Sequence, residues 1–413
     1  MPSPLSHSRS RARGPRARGP RAGLVALAAL ALLAAGCDGS GLVPGSGGAD
    51  PADETTAAAV SAAVVTTNVA DHATGVPVDK VVKVRADKGT LSSVVVRSKA
   101  GRVAGDLRDG GTRWVSSAGL EPGARYRVRA VAQNSAGQSV ESTTTFTTQD
   151  LGLDQQTYPS VAPLQGETVG VGMPVIVTFD LPVQDQASFE RHMRVTSTPA
   201  QPGSWHWVSS TEAHWRPQQY WQAGTKVSVD VAVNGVAAGG GIYGQEDRTV
   251  DFEVGAAHVY KVNARTHQMK VFENGTLLRT LPITTGKAGF TTRSGVKVIM
   301  EKYAQKRMNS ETVGIARGSA EAYDIDDVKW AMRLTSSGEF IHAAPWSVGS
   351  QGRANVSHGC TGLSTDNAGW LYAMSRRGDV VEYVGTDRPM EPGNGWGDWN
   401  VPWQEYVTGS ALS

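Results

Sequence analysis

From residue 60 onward, hydrophobic and polar positions alternate with a period of two, in bursts too short for helices. "KVVKVRA", "SSVVVRS", "TRWVSS", "RYRVRAVAQ" and "STTTFTT" follow one another between residues 60 and 149. Turn residues separate them every eight to twelve positions, the pattern of an antiparallel β-sandwich. A second such stretch, 150–255, contains "GMPVIVTFDLPV", "SWHWVSS", "EAHWRP" and "KVSVDVAVNGV" and closes on "TVDFEVG". At His258 the texture changes. "HVYKVNARTHQMKVFENGTLLRTLPITTGK" predicts a β-hairpin turning at Asn274-Gly275, and "GVKVIMEKY", "VKWAMRLT", "GEFIHAAP" and "GDVVEYV" predict further strands. A single helix is predicted over Thr365–Arg376. Ser364 is its N-cap, Ala368, Leu371 and Tyr372 share one face, Arg376 and Arg377 lie in its last turn, and Gly378 stands just past its end.

The fold expected is therefore mainly β: two sandwich domains, 60–149 and 150–255, then a β-rich domain, 256–385, with a short helix. "LEPGARY", with Leu120, Pro122 and Tyr126, resembles the tyrosine corner of immunoglobulin-like and fibronectin-like domains, and Trp114 is expected in that core. His206 and His214 sit beside tryptophans in alternating strands and are read as packing or surface residues rather than metal ligands. The tail 386–413, with Trp396, Trp399 and Trp403 in "NGWGDWNVPWQEY", is expected to pack on the third domain.

Charge enters through the N-terminus. Residues 1–21 carry six arginines and no acid, and Leu24–Ala35 is an unbroken apolar run, long enough for a signal-peptide core and too short to span a bilayer. The run ends at Ala34-Ala35-Gly36-Cys37, which resembles a lipoprotein cleavage site, although Leu33 stands one position further from Cys37 than is usual. That resemblance implies a signal peptide at 1–36, a lipidated Cys37, and a location outside the cytoplasm, anchored to the cell membrane and facing the cell wall. Residues 37–59, rich in Gly, Pro, Ser and Ala, form a flexible tether with an r.m.s. span on the order of 25 Å. The whole chain has formal charge +2. Removing six of its 40 basic residues leaves about −4 against 38 acidic ones, so the mature protein offers no case for binding nucleic acid.

The two cysteines are Cys37 and Cys360. With Cys37 lipidated or removed, Cys360 has no partner, and an unpaired cysteine in an exported chain points to a reactive thiol. Such a thiol needs a base and nearby hydrogen-bond donors for an oxyanion. Gly359 permits a tight turn, the amides of Gly359, Cys360 and Thr361 are candidate donors, and His342 lies at the end of "GEFIH". A catalytic zinc on His342, His358 and Cys360 is a weaker reading of the same residues.

"FIHAAPW" followed by "NVSHGCTGLS" resembles the signature of the L,D-transpeptidases with a YkuD-type catalytic domain, over residues from about 258 to 385. The resemblance implies Cys360 as nucleophile, His342 as base, and the Ala343 backbone carbonyl as the group orienting the imidazole. It implies Ser357 and His358 as walls of the substrate pocket. Thr361, Tyr323, Arg353 and Trp346 are further candidates for substrate contact. It implies no cofactor and no metal, peptidoglycan stem peptides as substrate, and β-lactams of the carbapenem type as covalent inhibitors. The reaction implied is a 3→3 cross-link between meso-diaminopimelate residues. Water or a protein lysine as acceptor, or a non-catalytic wall-binding lipoprotein, are the alternatives. Gly362 departs from the family, which commonly has Asn there.

Overall fold

The computed structural model describes residues 61–413. The signal peptide, Cys37 and the tether lie outside the described residues. The first sandwich pairs Val64–Thr67, Lys83–Asp87, Arg113–Ser116 and Gly105–Arg108 in one sheet. Ala73–Val76, Ser139–Thr148, Arg125–Gln133 and Thr90–Arg97 form the other. Period-two alternation sends Val84, Val94, Val96, Val128 and Phe146 into one core with Trp114. Tyr126 stacks on Phe146 at 5.2 Å, and its hydroxyl accepts the Glu121 amide at 2.7 Å, the contact expected of a tyrosine corner.

The second sandwich has the same plan, with Pro159–Ala162, Val175–Phe179, Glu212–Pro217 and Gly203–Trp207 facing Thr168–Val169, Arg248–Val254, Lys226–Val231 and Met193–Thr198. Its core is aromatic, built on Phe179, Phe189, Trp205, Trp215, Trp221 and Phe252.

The third unit contains two sheets. One runs Thr276–Pro282, Gln268–Glu273, His258–Asn263, Val380–Val384, Gly295–Val298; the first three strands pair antiparallel, the first two through the Asn274-Gly275 turn and the second and third through residues 264–267. The other runs Glu301–Asn309, Asp324–Arg333, Phe340–Ala343, Thr361–Leu363. Tyr260, Val271, Ile283, Met332, Ile341 and Leu363 fill the core with Ala368 and Leu371 of the helix. That helix spans Thr365–Met374, with the Ser364 side chain accepting the Asn367 amide. It ends two residues earlier than the sequence predicts, because the Asp379 carboxylate captures the Arg376 amide and Ser375 is already extended. Arg376 and Arg377 thus lie beyond the last turn.

The tail does more than pack on the catalytic domain. Asn400 exchanges two hydrogen bonds with the Val296 backbone, at 2.8 and 2.6 Å, on the catalytic side. Residues 386–395 also lie on that side, with Met390 and Arg388 bonded to the Ser294 backbone and Asn394 to Ser337, as the sequence predicts, while the rest of residues 398–413 face the second sandwich. Trp399 Nε1 donates to the Gly172 carbonyl, and Arg216 lies under the rings of Trp399, Trp403 and Tyr406 at 4.6, 5.2 and 4.1 Å. His206 stacks on Tyr406, and His214 is clamped between Asp398 and Glu212. The two histidines hold the tail.

Candidate active site

The site is built where two short strands run parallel. Phe340–Ala343 pairs with Thr361–Leu363, with His342 opposite Gly362. The loop between these strands is pinned from below by Asn355. Its Oδ1 accepts from the Thr285 amide and hydroxyl at 3.1 and 2.8 Å, while its Nδ2 donates to the Ala264 carbonyl at 3.0 Å. Ser357 Oγ donates to the Cys360 carbonyl at 2.6 Å and accepts the Gly359 amide at 3.1 Å, which folds the "SHGC" turn on itself. Gly359 has φ +122°, a conformation that other residues adopt only with strain, so the turn requires glycine. Thr292 Oγ1 donates to the Gly359 carbonyl at 2.7 Å.

His342 is 6% exposed, and its Nδ1 lies 2.8 Å from the Ala343 carbonyl. A carbonyl only accepts, so Nδ1 carries the proton and Nε2 holds a free lone pair. Burial lowers the imidazole's basicity, and the Ala343 carbonyl raises it in part. Burial also pushes the Cys360 thiol up to about 12, against a smaller opposing contribution from the Phe340 backbone. Both groups are therefore neutral at rest. No hydrogen bond joins them among the described residues; Sγ faces the Gly338 carbonyl at 3.6 Å.

The two side chains nonetheless line one cavity of about 240 Å³, with Met308, Tyr323, Trp346 and Ser357 among its walls. Trp346 is 58% exposed and tilts over His342 at 6.0 Å. Tyr323 lies 5.2 Å from His358, and burial, with the neighbouring Cys360, raises its phenol to about 12. His358 is further boxed in by Phe290, edge-on at 4.6 Å.

Two candidates stand elsewhere. Thr361 is 1% exposed, and its hydroxyl is 2.6 Å from that of Tyr383 in the core, so its side chain is structural. The cause is strand alternation: Cys360 and Gly362 face the cavity, and Thr361 must point away. Arg353 is exposed on the connecting loop and lines no cavity at the thiol. The Gly359 amide, committed to Ser357, is also no free oxyanion donor. Gly362 has its own reason. A Cβ there would come within 3.0 Å of Ala344 Cβ and Thr284 Cγ2, so an Asn needs those neighbours to yield.

Sequence reasoning missed two features. Glu321, on the segment between strands Glu301–Asn309 and Asp324–Arg333, bridges Lys287 Nζ at 2.5 Å and His358 Nε2 at 2.6 Å. Behind Gly359, the carboxylate of Glu339 pairs with Lys297 and with Arg293, three side chains buried together. Lys297 within the apolar strand Gly295–Val298 was the one hint at the second.

A partly exposed cysteine just before one of two parallel strands and a carbonyl-anchored histidine on the other, in a β-rich domain that follows two sandwiches, define a class of acyl-transfer proteins, and comparison supplies the family. Residues 73–237 match a bacterial Ig domain, and residues 257–382 match the L,D-transpeptidase catalytic domain, YkuD. The chain is 37% identical over 349 residues to L,D-transpeptidase 2 of Mycobacterium tuberculosis, covering 84% of this chain and 85% of that protein. It is 34% identical over 315 residues to L,D-transpeptidase 5 of the same species, covering 70% and 68%. A solved L,D-transpeptidase in complex with imipenem is 40% identical, with 55% of this chain and 97% of that chain covered and a TM-score of 0.49. The chain belongs to the L,D-transpeptidase family.

Proposed function

We propose that the protein forms 3→3 cross-links in peptidoglycan through an acyl-enzyme on Cys360. The observation that carries this reading is the shared cavity of Cys360 and His342, with the lone pair of Nε2 left free by the Ala343 carbonyl. A rotation of the thiol about its Cα–Cβ bond brings Sγ from the Gly338 carbonyl toward that lone pair. Resting geometry of this looseness is usual for a catalytic pair without substrate.

In the first half-reaction, His342 Nε2 takes the thiol proton as Sγ bonds to the carbonyl carbon at the L-centre of meso-diaminopimelate. The amide of Cys360, which has no partner in the turn, is the donor nearest the developing oxyanion. The C–N bond then breaks, and His342 returns the proton to the departing D-alanine nitrogen. In the second half-reaction, the side-chain amine of another stem attacks the thioester and gives its proton to His342. The C–S bond breaks, and the thiolate is reprotonated. Orientation of the imidazole by Ala343 has the role of the acid in a serine-protease triad. No step calls for a metal or cofactor.

The same activated thiol would open a β-lactam ring. The test is intact-mass spectrometry of residues 60–413 with a carbapenem, beside Cys360→Ala. One adduct on the wild type and none on the variant, together with dimer formation from purified tetrapeptide stems, is the expected outcome. Dimers still formed by Cys360→Ala would end the acyl-enzyme reading.

We further propose that Cys37 carries a lipid and tethers the protein to the outer face of the cell membrane, with the sandwiches as spacers toward the wall. The apolar run and the small residues before Cys37 support this. Labelled palmitate is expected in the wild type and absent from Cys37→Ser.

A further inference from the structure

Cys360 stands at the junction of two unlike cavities. The first, already described, holds His342 and contains no lysine, arginine or carboxylate. The second, of about 200 Å³, shares Met308, Tyr323 and Cys360 with the first, and its other walls include Lys306, Arg307, Arg333, Asn309, Gly338 and Phe340. Three cations and no acid line it. Two of these cations are engaged outward. Arg307 pairs with Asp324 and Asp326, and Arg333 pairs with Glu301 while its guanidinium covers the Phe340 ring at 4.7 Å. Lys306 has no carboxylate partner among the described residues. It rests over the Tyr303 ring at 4.1 Å, and Glu301, which feels its charge, is bonded instead to Arg333 and Tyr303.

The reaction assigns the cavities, given the acyl-enzyme reading above, on which this inference rests. The nitrogen that leaves and the nitrogen that attacks both exchange a proton with His342. Both must therefore occupy the His342 cavity, one after the other. The acyl group that stays bonded to sulfur is then left the other cavity, which reaches Cys360 without His342. For a donor acylated at the L-centre of meso-diaminopimelate, that group carries a side chain ending in a second amino-acid centre with its own carboxylate. A cationic, acid-free cavity next to the thiol is complementary to that anion, because a carboxylate entering it finds donors and positive charge without displacing an existing partner of Lys306.

We propose that this cavity is the subsite for the side-chain carboxylate of the donor's diaminopimelate, and that Lys306 determines specificity by favouring the free acid over the amidated form. Lys306 is partly exposed on strand Glu301–Asn309 and carries no buried ion pair, so its replacement leaves the fold intact. Arg333 is a poorer target, since its loss also releases Glu301.

The experiment uses residues 60–413 as wild type, Lys306→Met and Lys306→Arg, with two synthetic tetrapeptide donors that differ only in whether the side-chain carboxyl is free or amidated. D-alanine release gives kcat and KM, and intact mass follows the acyl-enzyme. The wild type is expected to prefer the free acid by about tenfold in kcat/KM. Lys306→Met should lose that preference through KM, with the amidated donor unchanged, and Lys306→Arg should restore most of it. Equal effects of Lys306→Met on both donors, or none on either, overturn the subsite while leaving the acyl-enzyme reading standing. Absence of any Cys360-dependent acyl-enzyme on the wild type with either donor instead removes the reading beneath it, and the subsite falls with it.

Discussion

A thiol that shares a cavity with a buried imidazole has two ways to become a nucleophile. It can rest as a thiolate–imidazolium pair, or it can transfer its proton only as substrate arrives. The surroundings of Cys360 favour the second. Burial raises the thiol to about 12 and lowers His342, and Sγ turns to the Gly338 carbonyl rather than to Nε2. A thiol at about 12 is roughly one part in 10⁵ ionised at pH 7. Iodoacetamide should accordingly alkylate the free protein slowly at neutral pH, with a rate that climbs about tenfold per pH unit and shows no plateau below pH 10. A plateau near pH 7 would mean a pre-formed ion pair. What the sequence reveals at this scale follows from how compactly the chemistry is encoded. His342, Ala343 and Cys360 are legible because a short motif carries them. Thr361 was misassigned although period-two alternation already excludes it once Cys360 faces substrate. Lys306 was not legible, because a lysine alternating with polar neighbours in a strand looks like an ordinary solvated face.

The elements around the site were easier to find than to connect. The hairpin at Asn274-Gly275, the strands on either side of the cysteine and the helix after Ser364 all follow from local pattern. Strands Glu301–Asn309 and Asp324–Arg333 were visible only in part: "GVKVIMEKY" reads as one strand but divides between Gly295–Val298 of one sheet and Glu301–Asn309 of the other, and "VKWAMRLT" covers only the end of Asp324–Arg333. Their pairing, with the segment that joins them, builds a cover that gives Met308 and Tyr323 to the cavities. What holds this cover down is Glu321, reaching Lys287 and His358 on two other segments. Contacts of this kind join residues 34 and 37 positions apart through partly buried side chains, and no periodicity announces them. The latch also explains why His358 sits in the motif as a wall rather than a base. Its Nε2 is already committed to a carboxylate, and its ring is packed between Phe290 and Tyr323. Surface ion pairs contribute little to stability, so the latch biases the position of the cover more than it secures the fold.

The tail links the second sandwich to the catalytic domain, and one titrating group lies at the centre of that joint. His214 is 4% exposed, with Nδ1 2.9 Å from Asp398 and Nε2 2.9 Å from Glu212. Both neighbours are carboxylates, so the imidazolium donates twice. Burial alone would lower its pKa, but Asp398 and Glu212 together outweigh burial and hold it at about 9. Asp398, whose burial would raise it, is kept below its ordinary value by His214, with help from Arg216. The remaining neighbour, Tyr406, stays a neutral phenol, its ionisation pushed well upward by burial and Asp398. The folded pKa of His214 thus exceeds its unfolded value of about 6.5. Its contribution is complete below pH 6.5 and is lost as pH rises through 9, on the order of 3 kcal/mol in all. Comparing the thermal midpoints of wild type and His214→Gln at each pH cancels the other titrating groups. The wild type should lead by several degrees at pH 6, and the lead should shrink steadily between pH 7 and 9.5. A lead that stays constant over that range would mean that His214 is neutral in the folded protein. The tail would then be held by its uncharged hydrogen bonds, such as Trp399 to the Gly172 carbonyl, and by its rings over Arg216, and alkaline conditions would leave the catalytic domain and the sandwich joined as firmly as before.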